Sequence, residues 1–308
     1  MSAAGGIRVS TSPYGPDDQI GAGNKLDPQR QADVLSRADG SRVYDLSVDY
    51  FLGMPSFQAA GDPPYQIWMT HTPRGTVVDN ANGVGREVNE SVCYSGDVIL
   101  MYTHTGTHID SLNHFGLNGR IFNDVDVDEH LGSRHWFRNG ADQIPPIITR
   151  GVLLDVAGLK GGECLPPSYG ITPDDCRQAL EREEVELGEG DVVLVRTGRM
   201  AYWPDASRVM GDSPGMSLEG ARWLTDQGVV AVGADNEAVE QTPSQHADNW
   251  LPGHCHFLAE AGVYMMELLD LEALTRDRLY EFCFIAAPIR LRGATGSPVR
   301  PLAMPLRR

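Results

Sequence analysis

The chain has 308 residues, 41% of them hydrophobic and 22% charged, which is typical of a folded globular protein with a sizeable core. The 42 acidic residues outnumber the 25 basic ones and give a formal net charge of −17, which disfavours nucleic acid and anionic membrane surfaces as partners. The N-terminus lacks the apolar segment of a signal peptide and no window approaches 18 unbroken apolar residues, so we expect no membrane partner.

Residues 1–25 are rich in Gly, Ser, Pro and Asp, and we expect a loose arm or an extension that wraps a partner. Residues 26–308 contain no internal repeat and no Pro/Gly linker, so they are predicted to form one domain. Its first helix is expected between Asp27 and Gly40, with Asp27 as the N-cap and Pro28 at the first helical position.

Short apolar runs bounded by Gly and Asp follow, and such runs predict buried strands. They lie at 42–48, 97–104, 151–158, 191–198, 228–235, 262–269 and 280–291. Two capped helices are expected between them, one opening at Thr172 and one at Ser217. The whole pattern predicts a mixed α/β fold with more strand than helix.

Residues 53–95 differ from the rest because they combine turn residues with the aromatic side chains of Phe57, Tyr65 and Trp68. A long loop that carries aromatics often forms a wall or lid over a site. Simple surface packing is the alternative. The five cysteines are odd in number, widely spaced and without a CxxC pair, which favours free thiols in a reducing cytoplasm.

The stretch YTHTGTHIDSLNHF at 102–115 holds three of the nine histidines and an aspartate. His104, His108 and Asp110 carry the ligand types of zinc, manganese or iron(II). Positions four apart on a straight strand are separated by about 13 Å, too far to share one ion. The Thr105–Thr107 segment, with its central glycine, therefore predicts a sharp bend that brings these side chains together.

This bend should end the strand predicted at 97–103 and return the chain toward the first histidine. A histidine that is merely a core or surface residue is the alternative at each position. No cysteine lies nearby, so the ligand set favours an open catalytic site over a closed structural zinc site.

Further ligands must come from elsewhere in the chain. The segment LPGHCHFLAEAGVYMMELL supplies four candidates, which are His254, His256, Glu260 and Glu267. Glu267 lies inside an apolar run, where a carboxylate needs a cation or hydrogen bonds. The segment GADNEAVEQ adds three acidic residues that we interpret singly as solvated surface charges, namely Asp235, Glu237 and Glu240.

The pattern His-x-Gly-Thr-His-x-Asp-x-x-x-His at 104–114 resembles the signature of the metal-dependent cyclase superfamily, which includes bacterial kynurenine formamidase and isatin hydrolase. The apolar runs after it occur in the order expected for that family. The resemblance implies a swivelling β/β/α fold, a barrel-like sheet flanked by helices, and a homodimer or higher homo-oligomer. It also implies one or two divalent ions, Zn²⁺ or Mn²⁺.

The resemblance implies a set of metal ligands, which are His104, His108 and Asp110 for the first ion and His254 and Glu267 for the second. His254 fits the family spacing best, while His256 remains an alternative for the distal histidine. His114 matches the residue usually assigned as the general acid and base.

The function implied is hydrolysis of an amide-type C–N bond in a small molecule such as an aryl formamide, lactam or cyclic imide. The metal would lower the pKa of bound water, and the resulting hydroxide would attack the carbonyl carbon. A cyclase or dehydratase acting on a small carbonyl compound is the alternative, and a binding protein without turnover is the third hypothesis. The segment Asp110–His114 lacks the Ala-Pro of kynurenine formamidases, which leaves the substrate open.

Overall fold

The computed structural model describes residues 6–80 and 82–307. Nine strands form the central sheet: β1 (Tyr44–Asp45), β4 (His108–Asp110), β7 (Ile147–Asp155), β9 (Val192–Arg196), β11 (Ala231–Ala234), β12 (Tyr264–Glu267), β13 (Glu281–Ala286), β14 (Gly296–Pro298) and β15 (Leu302–Pro305). Their order across the sheet is β1-β15-β13-β7-β9-β11-β12-β4-β14, and the sheet curls into a half-barrel.

Six short strands form separate two-stranded sheets: β2 (Gln66–His71) with β3 (Gly96–Leu100), β5 (Arg120–Ile121) with β6 (Val125–Asp126), and β8 (Gly170–Ile171) with β10 (Gly215–Met216). The α-helices are α1 (Pro28–Arg37), α2 (Pro73–Asp79), α3 (Arg86–Ser91), α4 (Val127–His130), α5 (Val156–Leu159), α6 (Pro173–Glu183), α7 (Ala206–Val209), α8 (Leu218–Asp226), α9 (Pro252–His254) and α10 (Glu272–Arg276). A π-helical turn at Cys255–Glu260 continues α9, and 3₁₀ turns lie at Gly21–Lys25, Phe122–Asp124, Ala141–Gln143 and Arg199–Tyr202.

The centre of the large sheet is parallel, because β7, β9, β11 and β12 run in the same direction. Strands β7, β9 and β11 are rich in Val, Leu, Ile and Ala, and all four strands are buried almost throughout, as expected for strands covered on both faces. Helix α1 packs against β7 and β13, and α6 packs against β7 and α8. The mixed α/β class predicted from the sequence is confirmed.

The predicted helix caps hold the three longest helices. The Asp27 carboxylate accepts the backbone N–H groups of Gln29 and Arg30, and α1 ends at Arg37 rather than at the predicted glycine. Thr172 forms a capping box on α6, and the Ser217 hydroxyl accepts the Gly220 N–H at the start of α8. Each cap satisfies N–H groups that the first helical turn leaves without intrahelical partners.

Residues 6–25 of the predicted arm lie against the chain's own domain, while residues 1–5 are outside the described residues. Ile7 is fully buried, and the Ser10 N–H donates to the carbonyl of Ala259. Asn123 holds the following turn through three backbone carbonyls between residues 15 and 18. Within one chain this segment is therefore docked rather than loose, and the domain boundary at residue 26 stays a prediction.

Residues 66–100 form an exposed arm in which β2 and β3 pair and α2 and α3 lie between them. The apolar run at 97–104 was predicted as a buried strand, and this prediction is wrong: β3 ends at Leu100 and most of its residues are exposed. A run of Val, Ile and Leu does not reveal whether other chain segments cover it. Among the described residues, no helix is long and apolar enough to cross a membrane.

Candidate functional site

The sharp bend predicted at Thr105–Thr107 is present. Gly106 has φ +60°, and a Cβ there would lie 2.9 Å from the Met54 side chain and 3.0 Å from the Tyr50 ring. Glycine thus permits both the left-handed backbone and the close packing. The Thr107 hydroxyl does not hold the bend locally, since it donates to the carbonyl of Leu268 at 2.7 Å and so fastens the bend to the end of β12.

Strand pairing brings three predicted ligands together. His108 and Asp110 are two positions apart on β4 and therefore point to the same face of the sheet. Antiparallel pairing of β4 with β12 places Glu267 directly opposite His108. Residues on the same face of neighbouring strands meet, so the two side chains approach each other. The intervening Ile109 points to the other face and is fully buried in the core.

A hydrogen bond fixes the orientation of His108. Its Nδ1 lies 2.8 Å from the Gly106 carbonyl, so this nitrogen carries the proton of the neutral imidazole, and in that form Nε2 is the acceptor. His254 arrives from α9, and its Nδ1 lies 2.7 Å from Oε1 of Glu240. A carboxylate behind a histidine is the usual outer support of a metal-binding imidazole.

The facing ligand atoms are spaced as ligands of one cation would be. His108 Nε2 lies 3.3 Å from Glu267 Oε2 and 3.4 Å from Asp110 Oδ1. His254 Nε2 lies 3.3 Å from Glu267 Oε1 and 3.9 Å from Asp110 Oδ2. Two ligands each about 2 Å from a tetrahedral ion are about 3.3 Å apart.

Buried polar atoms without hydrogen-bond partners also indicate a cation site. In the part of the chain that the structure describes, His108 Nε2, Asp110 Oδ2 and Glu267 Oε1 are buried and lack a hydrogen bond. An unsatisfied buried polar atom costs about 1–3 kcal/mol, and three in one place need a common partner. Nitrogen and carboxylate donors suit Zn²⁺ or Mn²⁺, so the residues fit a divalent cation.

His104 and His114 lie beside this cluster. The His104 Nδ1 is 2.7 Å from Asp110 Oδ1, and its ring stacks on that of His114 with centroids 3.9 Å apart. His104, Asp110 and His114 form a second group whose ligand atoms lie within 4.8 Å of one another. His114 is half-buried, and its ring makes no hydrogen bond to the described residues. The structure thus brings all six predicted site residues together.

Without a cation the cluster binds protons. Burial alone would lower the pKa of His108, but the carboxylates of Asp110 and Glu267 outweigh burial and raise that pKa to about 10. Burial likewise opposes charge on His254, whose pKa Glu240 and Glu267 raise to about 10. A cation would have to displace these protons, because metal binding needs neutral imidazoles.

The pKa values of Asp110 and His114 move in the direction that keeps the carboxyl charged and the imidazole neutral. Burial alone would raise the pKa of the Asp110 carboxyl, but the imidazoles of His114 and His104 hold it well below its usual range. Burial, reinforced by the neighbouring His104, holds the pKa of His114 well below 6.5. His114 is therefore unprotonated at neutral pH, the form from which a general base acts.

A cavity of about 510 Å³ opens onto the cluster. His104, His114, His254 and Glu267 form its polar end. The remaining wall is mainly apolar, and its largest members are Phe57, Tyr102, Phe115, Met210 and Trp250. Of the three aromatics noted in the 53–95 segment, Phe57 lines this cavity, Tyr65 is buried, and Trp68 lies exposed on the arm. The segment thus provides part of a wall.

His256 does not join the cluster. The π-helical turn directs it elsewhere, so that Nε2 lies 2.9 Å from the Thr225 hydroxyl and Nδ1 lies 2.7 Å from Glu260 Oε2. Of the two candidates for the distal histidine, the structure places His254, and not His256, at the cluster.

The sequence interpretation of Asp235 and Glu240 as solvated surface charges is wrong, because both are buried. The Glu240 carboxylate supports His254, while Asp235 accepts backbone N–H groups of Thr197 and Gly198 at 2.7 Å each. Both carboxylates are satisfied by donors from loops distant in sequence. The signal available in the sequence was that both residues follow a predicted strand and therefore lie at an edge of the sheet.

Thr295 was also missed as a site residue. Its hydroxyl lies 2.9 Å from His104 Nε2, at the start of β14, which pairs with β4. A Cβ on the adjacent Gly296 would lie 2.6 Å from the His104 ring, so only glycine lets this strand approach. The glycine-rich segment GATGSPVRP at 293–301 supplies this contact.

Comparison with known proteins is consistent with this geometry. Residues 44–241, more than half of the chain, match the family model for Cyclase. Cyclase-like protein 3 of Oryza sativa subsp. japonica is 28% identical over 85% of this chain and 79% of its own length. Kynurenine formamidase of Bacillus thuringiensis subsp. konkukian is 30% identical over 71% of this chain and 87% of its own.

An isatin hydrolase of Roseibium aggregatum is 24% identical over 67% of this chain and 73% of its own. Among solved structures, a protein described as a novel cyclase superposes with a TM-score of 0.83 at 29% identity. The match covers 94% of this chain and 95% of the other, which confirms the cyclase-like fold predicted from the sequence.

Proposed function

Since this chain belongs to the cyclase family, we propose that it is a metal-dependent hydrolase that cleaves the C–N bond of a small amide-type substrate. The observation that carries the proposal is the convergence of His108 Nε2, Asp110 Oδ2 and Glu267 Oε1, three buried atoms without hydrogen-bond partners among the described residues. The names of its relatives, kynurenine formamidase and isatin hydrolase, support an aryl formamide, lactam or cyclic imide as substrate.

Five residues would hold one or two Zn²⁺ or Mn²⁺ ions: His104, His108, Asp110, His254 and Glu267. A divalent cation supplies Lewis acidity, which polarises a carbonyl group and acidifies water. The Glu240 carboxylate fixes the orientation of the His254 imidazole, and the Gly106 carbonyl fixes that of the His108 imidazole. These contacts pre-organise the donors, so little rearrangement is needed when substrate binds.

His114 would move the proton. Its ring stands at the cavity wall beside His104, and its lowered pKa leaves the imidazole neutral at pH 7. A neutral imidazole can accept a proton from the attacking water and then donate it to the leaving nitrogen. The apolar cavity wall excludes bulk water and holds the aromatic part of the substrate.

The test is a substrate panel. Protein reconstituted with Zn²⁺ or Mn²⁺ is assayed on aryl formamides, lactams and cyclic imides, and mass spectrometry follows both ring-opened and ring-closed compounds. We expect hydrolysis of at least one amide class, with the activity lost after chelation. Net ring closure would instead favour a cyclase, and absence of turnover with every metal would contradict the proposal.

We also propose that the protein forms a homodimer or higher homo-oligomer through the arm, residues 66–100. Ten of the nineteen large hydrophobic side chains that are exposed among the described residues lie in this segment, including Trp68, Val78 and Ile99. A two-stranded hairpin is marginally stable alone, so its apolar surface calls for a cover.

The charge distribution favours a second copy of the chain as that cover. The arm carries two arginines against four acidic residues, a net charge of −2, which leaves −15 for the rest of the chain. Two such acidic molecules repel each other least where the arms meet.

The free state of all five cysteines supports a reducing, cytoplasmic location, which we propose as well.

A further inference from the structure

The cavity next to the metal ligands has an unusual balance of charge. Its lining includes the carboxylates of Asp62, Asp212 and Glu237, in addition to the ligand Glu267, but no lysine or arginine among the described residues. Away from the metal ligands, a substrate carboxylate would meet no cationic side chain of this lining, and the three carboxylates would repel it. Within a chain of net charge −17, this cavity favours neutral or cationic molecules.

Glu237 is the carboxylate best placed to select among them. Its Oε1 accepts the Gly211 N–H at 3.2 Å, while its Oε2 is buried and has no hydrogen-bond partner within the described chain. Oε2 has almost no accessible surface, so a bound molecule would meet Oε1, which can accept a second hydrogen bond beside that from Gly211. Burial, together with the charge of Glu267, raises the pKa of Glu237 to about 7, so a bound cation would also stabilise the ionised carboxylate.

The loop that carries Glu237 is held firmly. The Asp235 carboxylate accepts two backbone N–H groups, and the Asn236 amide donates to the Pro214 carbonyl at 2.6 Å. Asn236 Oδ1 in turn accepts the N–H of Val239, and Glu240 binds His254 behind the metal cluster. Glu237 therefore has a fixed position relative to the reacting centre, as a specificity residue requires.

We propose that Glu237 is a specificity-determining residue that selects aromatic amide-type substrates bearing an amino or ammonium group. The amine would donate to the Glu237 carboxylate while the amide faces the metal ligands. The proposal rests on the proposed function only for the group that reacts, which is the amide. Recognition of the amine by Glu237 can be measured without turnover.

The binding experiment compares two probes of equal shape, 4-methylbenzylamine and 4-methylbenzyl alcohol, by calorimetry on metal-loaded protein at pH 7. We expect the amine to bind roughly 10- to 100-fold more tightly, as for a hydrogen bond to a charged group. Glu237→Gln should abolish this preference. Glu219→Gln, which removes the same charge from an exposed position outside the cavity lining, should keep the preference within about threefold.

The kinetic experiment uses 4-(aminomethyl)formanilide and 4-methylformanilide and compares their kcat/KM values in the same variants. Glu237→Gln should lower the ratio roughly tenfold or more through the aminomethyl substrate alone. Metal content equal to wild type shows that the variant is folded, and Glu237→Ala provides a second variant with the same expectation.

Three results would overturn the proposal: no preference for the amine in the wild type, an unchanged preference in both Glu237 variants, or an equal loss of the preference in Glu219→Gln. If neither formanilide is hydrolysed but amine binding still depends on Glu237, the proposed function fails and this inference stands. The two failures are thereby distinguishable.

Discussion

Glu240 holds His254 through both its side chain and its backbone. Oε1 of Glu240 lies 2.7 Å from the ring Nδ1 and 2.7 Å from the backbone nitrogen of His254, and Oε2 accepts the Gly253 N–H at 2.8 Å. One buried carboxylate thus fixes the start of α9 and the direction of the imidazole. It leaves Nε2 turned toward Asp110 and Glu267.

Replacing Glu240 with Gln should weaken metal binding without removing a ligand. An amide still accepts one hydrogen bond, but it no longer supports the imidazole electrostatically, so we expect metal affinity to fall roughly 10- to 100-fold. Competition with a chromogenic chelator measures this change. Glu260→Gln is the matched control, since Glu260 supports His256 away from the cluster. An unchanged affinity in Glu240→Gln would contradict the supporting role.

Replacing His114 with Ala should separate metal binding from turnover. The variant loses the proposed proton carrier, so we expect kcat to fall roughly 10²- to 10⁴-fold while the metal content stays at the wild-type level. Metal analysis and steady-state kinetics on the same preparation check both parts. A variant that keeps most of its kcat would show that another group moves the proton.

Replacing Glu183 with Gln should change how stability depends on pH. Burial raises the pKa of this carboxyl to about 8 from an ordinary value of 4.5. The folded chain therefore binds one more proton than the unfolded chain between these values, and its stability falls as pH rises from 4.5 to 8. The variant avoids that loss, because a neutral amide can still accept the Asp155 N–H.

The expected gain in Tm over wild type is near zero at pH 5 and roughly 2–6 °C at pH 8.5, as thermal unfolding would show. Glu181→Gln, an exposed position on the same helix, should give no such divergence. The same Tm difference at both pH values would refute the assignment of this pH dependence to Glu183.

Placing a charge on the arm should dissociate the proposed oligomer. Trp68 is 48% exposed on β2, and a Trp68→Lys variant would have to bury a charge if this surface is covered by a second copy. Analytical ultracentrifugation should give an oligomer for wild type and a monomer for the variant. Leu52→Lys, at a position 64% exposed outside the arm, should retain the wild-type mass. A wild-type protein that is monomeric at all concentrations would contradict the proposal.

Much of the site could be predicted because local chemistry constrains it. The spacing of His104, His108 and Asp110 demanded a bend, and the glycine between the two histidines supplied one. Glu267 could be identified because a carboxylate in an apolar run needs a partner, and strand pairing provides His108. These predictions depended on residues that lie near one another in sequence or, for Glu267, on a charged residue within an apolar run.

The remaining features depend on tertiary contacts. Spacing could not decide between His254 and His256, because the π-helical turn that directs them apart is not evident in the residue pattern. Glu240 resembles a surface charge until α9 is seen to pack over it. The run at 97–104 has the composition of a core strand, yet only β2 pairs with it. Composition identifies what could be buried, while topology decides what is buried.

The most direct test of the metal centre is elemental analysis of protein purified without chelator and then equilibrated with Zn²⁺ or Mn²⁺. The account predicts one or two equivalents of divalent metal per folded wild-type chain, and loss of most of that metal when Glu267 is replaced by Gln, because this ligand faces both His108 and His254. A fully folded wild-type protein that takes up neither metal would contradict the account.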